Sequence, residues 1–168
     1  SQGGVVRLLL SFLEDSQFPQ VIKNILASRT DLKFVKNFLQ AVRSMTPRTA
    51  QESLGRIDRL EWASPEHPTL AKLDDEGQRD VVRMLMATAI PRAQVLKVLA
   101  YLLMEGTQEG SRAAAETLAE FHGPEADALM IKALNNRDPV VRAHLIRQLR
   151  PREIPGAMSL LMRMVDHP

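Results

Sequence analysis

Four histidines and one short run of acids come nearest to offering chemistry in this 168-residue chain. His67, His122, His144 and His167 lie far apart, and no two stand at the helical spacing that would put a pair of imidazole ligands on one face. Solvent-facing or locally bonded histidines account for them without a metal. The run Asp74-Asp75-Glu76 could hold a cation or supply a general base, but it falls at the start of an expected helix. Carboxylates there accept hydrogen bonds from unpaired N–H groups and oppose the positive end of the helix dipole. Glu66 and His67 sit in an expected loop, the kind of segment that often carries a site. No GxGxxG, P-loop, HExxH, GxSxG or EF-hand loop occurs. The chain therefore reads as non-enzymatic, and no cofactor is expected.

Two groups of residues point to binding instead. Trp62 can pack in a core or present its ring to a partner or a base. Near the end, Arg142, Arg147, Arg150 and Arg152 crowd together. If Val141, Leu145 and Leu149 face inward, His144 and Arg147 point away from them. His144, Arg147, Arg150 and Arg152 then form a candidate basic face, with a solvated surface balanced by Glu116, Glu120, Glu125 and Asp127 as the plainer alternative. The eight methionines fall mostly within apolar stripes and read as gap-filling core.

Composition narrows the setting. A 45% hydrophobic content suffices for one buried core in a chain of this length. No apolar run approaches the roughly 18 to 20 residues that cross a bilayer, so a soluble, non-membrane protein is expected. The absence of cysteine excludes disulfides, thiol nucleophiles, thiolate zinc sites and iron-sulfur clusters, and favours a cytoplasmic location. With a net charge of only +2 and no strongly basic segment, bulk charge lends little to nucleic-acid binding.

The elements that must position these residues are helices. No segment alternates like a strand, whereas Phe34, Val35, Phe38, Leu39, Val42 and Met45 form a helical stripe after Asp31. Thr46-Pro47 reads as a cap and first helical residue, opening a helix through Leu54, Ile57 and Leu60 towards Trp62. The span 63–74, with two prolines, reads as the longest loop. Asp74 or Asp75 caps the next helix, whose apolar face is Val81, Val82, Leu85, Met86 and Ala89. Pro91 opens another through Val95, Leu96, Leu99, Leu102 and Leu103. Further helices are expected at Ser111–Phe121, Pro124–Leu134, Pro139–Leu149 and Ile154–Val165. With the opening stretch SQGGVVRLLLSFL and Phe18–Ala27, the chain holds about nine short helices.

The last third repeats itself at a period of roughly 30 residues. Arg112 falls opposite Arg142, Leu99 opposite Leu129, Met104 opposite Leu134 and Ser111 opposite Val141, while Asp166-His167-Pro168 looks like another copy of the Asp138-Pro139 turn. The segment NNRDPVVRAHLIRQL, Asn135 to Leu149, resembles the turn and second helix of HEAT repeats, and the likeness extends from about Val95 to the end. It implies an all-α, right-handed alpha-alpha superhelix, a single HEAT-like domain over 1–168. Residues 1–90 would supply irregular N-terminal helices and 91–168 the clearer repeats. Arg142 and Arg112 resemble the family's arginine that hydrogen-bonds between neighbouring repeats. A chain that starts without Met and stops inside a repeat is expected to be a piece of a longer protein. The resemblance implies a scaffold for protein–protein interaction, its partner another protein or other domains of the parent chain. A nucleic-acid-binding protein similar to the alkylpurine DNA glycosylases is the alternative.

Overall fold

The computed structural model describes residues 2–14 and 19–152, together with 154, 156, 159, 162 and 163. The helix expected at Ile154–Val165 falls largely outside the described residues, and the turn at Asp166-His167-Pro168 falls wholly outside them. The first half contains α1 (Gln2–Glu14), α2 (Pro19–Ser28), α3 (Leu32–Arg43), α4 (Pro47–Leu54) and α5 (Pro68–Lys72). The second contains α6 (Asp75–Ala87), α7 (Arg92–Glu105), α8 (Gln108–Thr117), α9 (Pro124–Ala133) and α10 (Pro139–Leu149). Two 3-10 turns follow α8 and α10, at Leu118–Glu120 and Arg150–Arg152. Among the described residues there is no strand, so the chain is all-α.

Besides α4, capped by Thr46, and α5, capped by His67, four helices begin with a capping Asp or Thr. Asp31, Asp74 and Thr107 each accept a hydrogen bond from the backbone N–H three residues on, at Phe34, Gly77 and Gly110. Asp138 accepts from Val140. Such caps satisfy donors that a helix start leaves unpaired. Counted from the cap, the buried positions coincide. Phe34, Gly77, Gly110 and Val141 stand third, Phe38, Val81, Ala114 and Leu145 seventh, and Val42, Leu85, Leu118 and Leu149 eleventh, all of them buried. This one-sided burial explains why α3, α6, α8 and α10 lie side by side in that order, with α7 against α8 and α9 on the other side.

The caps correct the repeat register. Thr107 and Asp138 are 31 residues apart, so Gly110 rather than Ser111 stands opposite Val141. Val95, Leu99, Leu102 and Leu103 then match Ala126, Met130, Ala133 and Leu134, all buried. The pairings of Arg112 with Arg142, Leu99 with Leu129 and Met104 with Leu134 are one residue out, a turn of about 100° on a helix. Met104 is accordingly 48% exposed where Leu134 is buried. The cap register also carries the pattern into the first half, through Asp74 and Asp31.

The helix after Thr46 is shorter than its apolar stripe suggests. It ends at Leu54, and Ile57, Leu60 and Trp62 enter the core from irregular backbone. Tertiary bonds decide this: Ala89 N–H donates to Ile57 O at 2.7 Å, and Glu61 N–H donates to Ala27 O at 2.9 Å. Within the span 63–74, expected as a loop, lies α5. His67 Nδ1 caps it by accepting from Thr69 N–H at 3.3 Å, and Thr69 Oγ1 donates to Thr30 O at 2.8 Å. Ala89, expected on the buried face of α6, is exposed, and Met84 is buried instead. The connection between α3 and α6 thus holds two extra helices, and α4 packs against α1 and α6.

Candidate functional site

The solvent side of α6, α8 and α10 follows from the buried one. Five and nine residues after each cap stand Arg79 and Arg83 on α6, Arg112 and Glu116 on α8, and Ala143 and Arg147 on α10. Of the expected basic face, Arg147 and Arg150 are exposed and His144 is half-buried. Arg147 Nε donates to the Ala143 carbonyl one turn back at 3.3 Å, leaving the rest of its guanidinium outward.

Arg152 is not free to take an anion. Its side chain is 9% exposed, with Nη1 3.0 Å from Asp127 of α9. Its Nη2 donates to the carbonyls of Leu118 and Ala119 at 3.3 and 3.2 Å. The side chain ties the end of α10 to α9 and the turn after α8. Arg147 and Arg152 do share an open hollow of about 550 Å³ with His122 and Gln148, which His144 and Arg150 do not line. Gln148 Nε2 donates to Ala115 O at 2.9 Å, while its Oε1 is buried without a hydrogen-bond partner among the described residues.

The arginines expected between repeats divide their work. Arg112 reaches from α8 to the cap of α10, with Nε 2.7 Å and Nη2 3.3 Å from the Asp138 carboxylate. That pair, with the Val140 N–H, holds the Asp138 carboxyl below its ordinary pKa and raises that of Arg112. Arg142 instead closes its own turn, donating from Nη1 to the carbonyls of Asn136 and Arg137 at 2.8 and 3.0 Å.

The acidic run is spent on structure. Asp74 caps α6, and Asp75 is held below its ordinary pKa chiefly by the Thr107 hydroxyl and then by the Glu109 N–H at 3.1 Å. Glu76 pairs with Arg43 at 2.6 Å. Glu66, bonded by Ser64, has its pKa lowered on that account and lies on an exposed turn. Trp62 is fully buried, its ring edge-on to Phe38 at 6.2 Å, and presents no face for stacking. Among the described residues no group of His, Asp and Glu has the geometry to hold a metal ion. His122 is exposed, and His167 lies outside the described residues.

Two polar links escaped sequence reasoning. Buried Gln78 on α6 donates from Nε2 to Leu70 O at 3.3 Å and accepts from the Thr107 N–H at 2.8 Å. Arg43 at the end of α3 pairs with Asp80 on α6, whose side chain is 6% exposed. A polar residue on an otherwise apolar face, one position after Gly77 or two before Val82, was the available signal.

The described surface contains no helix long and apolar enough to cross a membrane. No protein-family model, no curated protein and no solved structure matches this chain.

Proposed function

We propose that this protein is a non-catalytic helical-repeat scaffold of HEAT-like, superhelical build that binds a protein partner through the outward faces of its capped helices. The observation that supports the reading is the shared register of α3, α6, α8 and α10. Four helices bury the same positions and leave the same positions to solvent, so their exposed faces adjoin as one extended surface. Arg147 and Arg150 lie at one end of that surface, and neither has an ion-pair partner among the described residues.

The nucleic-acid alternative is less well supported, because its stacking aromatic would be Trp62 and that ring is buried. A pull-down with the 168-residue chain, run at low and moderate salt with and without nuclease, tests the proposal. A protein captured despite nuclease is the expected result. Recovery of nucleic acid alone, lost as salt rises, would overturn it.

A further inference from the structure

Two hollows meet on the outward side of α6. The first, about 460 Å³, lies between the end of α3, α4 and α6. Its floor and walls are largely apolar, with Val42 and Met84 buried beneath Met45, Ala50 and Met86, which are part-exposed. Arg43 and Arg83 stand on its rim, and no carboxylate lines it. It has room for a bulky apolar side chain, many times the roughly 30 Å³ share of one water. Methionine walls adapt their shape to what enters.

The second hollow, about 370 Å³, lies between α6 and α8 and shares Arg83 and Met86 with the first. Arg79 and Arg83 form its α6 wall, with Glu116 and Glu120 on the opposite side beside Glu109 and Arg112, the last of which is paired with Glu109 and Asp138. The Arg79–Arg83 and Glu116–Glu120 pairs each place like charges four residues apart, an arrangement that costs rather than adds stability. Opposed rows of this kind would gain by closing into ion pairs across the gap, yet they do not. Arg79 reaches only Glu76, at 3.9 Å, and Arg83, Glu116 and Glu120 have no ion-pair partner among the described residues. With Arg112 turned to Asp138 and Glu109, the hollow is polarised, cationic along α6 and net anionic along α8 and the turn after it.

We propose that this double hollow receives an extended peptide segment of the partner, with a bulky apolar residue seated among Met45, Met84 and Met86. A neighbouring acidic residue lies on Arg83 and Arg79, and a basic residue further along lies on Glu116 and Glu120. Charge complementarity selects this occupant: a polyanion would meet the Glu116–Glu120 wall, and a purely apolar segment would leave both charged walls desolvated and unpaired. The inference rests on the scaffold reading and assigns it a site.

The test is to pan a random twelve-residue peptide display library on the 168-residue chain and measure the enriched peptides by fluorescence anisotropy. Enrichment of an apolar residue beside an acidic one, with a basic residue downstream, is expected. Binding should weaken at least about tenfold in Arg83→Glu and in Met86→Ala. Glu116→Arg should shift selection away from the basic residue, with helical circular dichroism unchanged in all three variants. No enrichment, equal binding by wild type and Arg83→Glu, or tighter binding of an oligonucleotide than of any peptide would overturn the site. If lysate pull-downs capture the same protein with wild type and Arg83→Glu, the scaffold reading survives and this location for it fails.

Discussion

The joint between α3 and α6 and the joint between α6 and α8 meet one packing requirement with different material. On the α3 side the buried positions carry Phe34, Phe38 and Val42, backed by Trp62. Arg43 reaches across to Asp80 and Glu76 to close that joint. Towards α8 the joint meets a helix whose buried residues shrink to Gly110, Ser111, Ala114 and Ala115. An added Cβ at Gly110 would lie 2.3 Å from Gln78 Oε1, so the two helices touch almost backbone to side chain. The caps of the tight joint are 33 residues apart, Asp74 to Thr107. Those of the bulky one are 43 apart, Asp31 to Asp74, because α4 and α5 intervene. Small residues keep the units regular; large ones permit an insertion, and the insertion builds the methionine hollow.

Substitutions separate the two joints by size of effect. Trp62→Ala should destabilise most, by about 3 to 5 kcal/mol, since it empties the largest fully buried side chain on the bulky side. Denaturant unfolding with an unchanged slope checks this. Leu145→Ala, on the eleven-residue helix α10, should cost about 2 to 5 kcal/mol. A loss well below that of Trp62→Ala would show that the last unit packs more loosely. Gly110→Ala should cost about 1 to 3 kcal/mol by pushing Gln78 from its bonds, and more than Gly77→Ala, whose new Cβ would meet neighbours at 3.1 to 3.3 Å. Equal melting temperatures for the two alanine variants would break the tight-joint account.

The smallest effect is one of pH. Asp138 titrates below its ordinary value in the folded chain because of Arg112, so its contribution is present above the unfolded pKa of about 3.9. It is lost as pH falls through the folded value. The melting-temperature gap between wild type and Asp138→Asn should therefore narrow as pH drops from about 5 to about 3. A gap that widens on acidification would contradict the Arg112 pairing.

What sequence could disclose follows the range of the forces involved. The caps at Thr46 and Asp74, the buried stripe after Asp31 and the bounds of α10 at Pro139 and Leu149 rest on contacts a few residues long, and these were readable. The true start of α8 was hidden because Gly110 and Ser111 look like a turn, when they are the close-packed face of a helix capped at Thr107. That misplaced start is also why the repeat register slipped by one residue. Ile57 to Trp62 leave the helix for partners at Ala27 and Ala89, which no local pattern announces. Of the expected basic face, Arg147 is exposed, as the inward stripe of α10 implies, but Arg152 is not. Its partner Asp127 lies on another helix, which no local pattern could disclose.

Gln78 has a mechanical consequence. One amide grips both Leu70 O, in the middle of α5, and the Thr107 N–H that precedes α8. Opening the α6–α8 joint would break the bond to Thr107, while the bond to Leu70 anchors the same side chain on α5. The turn into α9 is built differently. There Gly123 has a φ of 111°, and an added Cβ would meet no neighbouring atom within 4 Å. Yet Arg112 to Asp138 and Gln148 to Ala115 O bridge α8 and α10 across that turn, so under load α6, α8 and α10 are expected to move as one block with the polarised hollow held rigid.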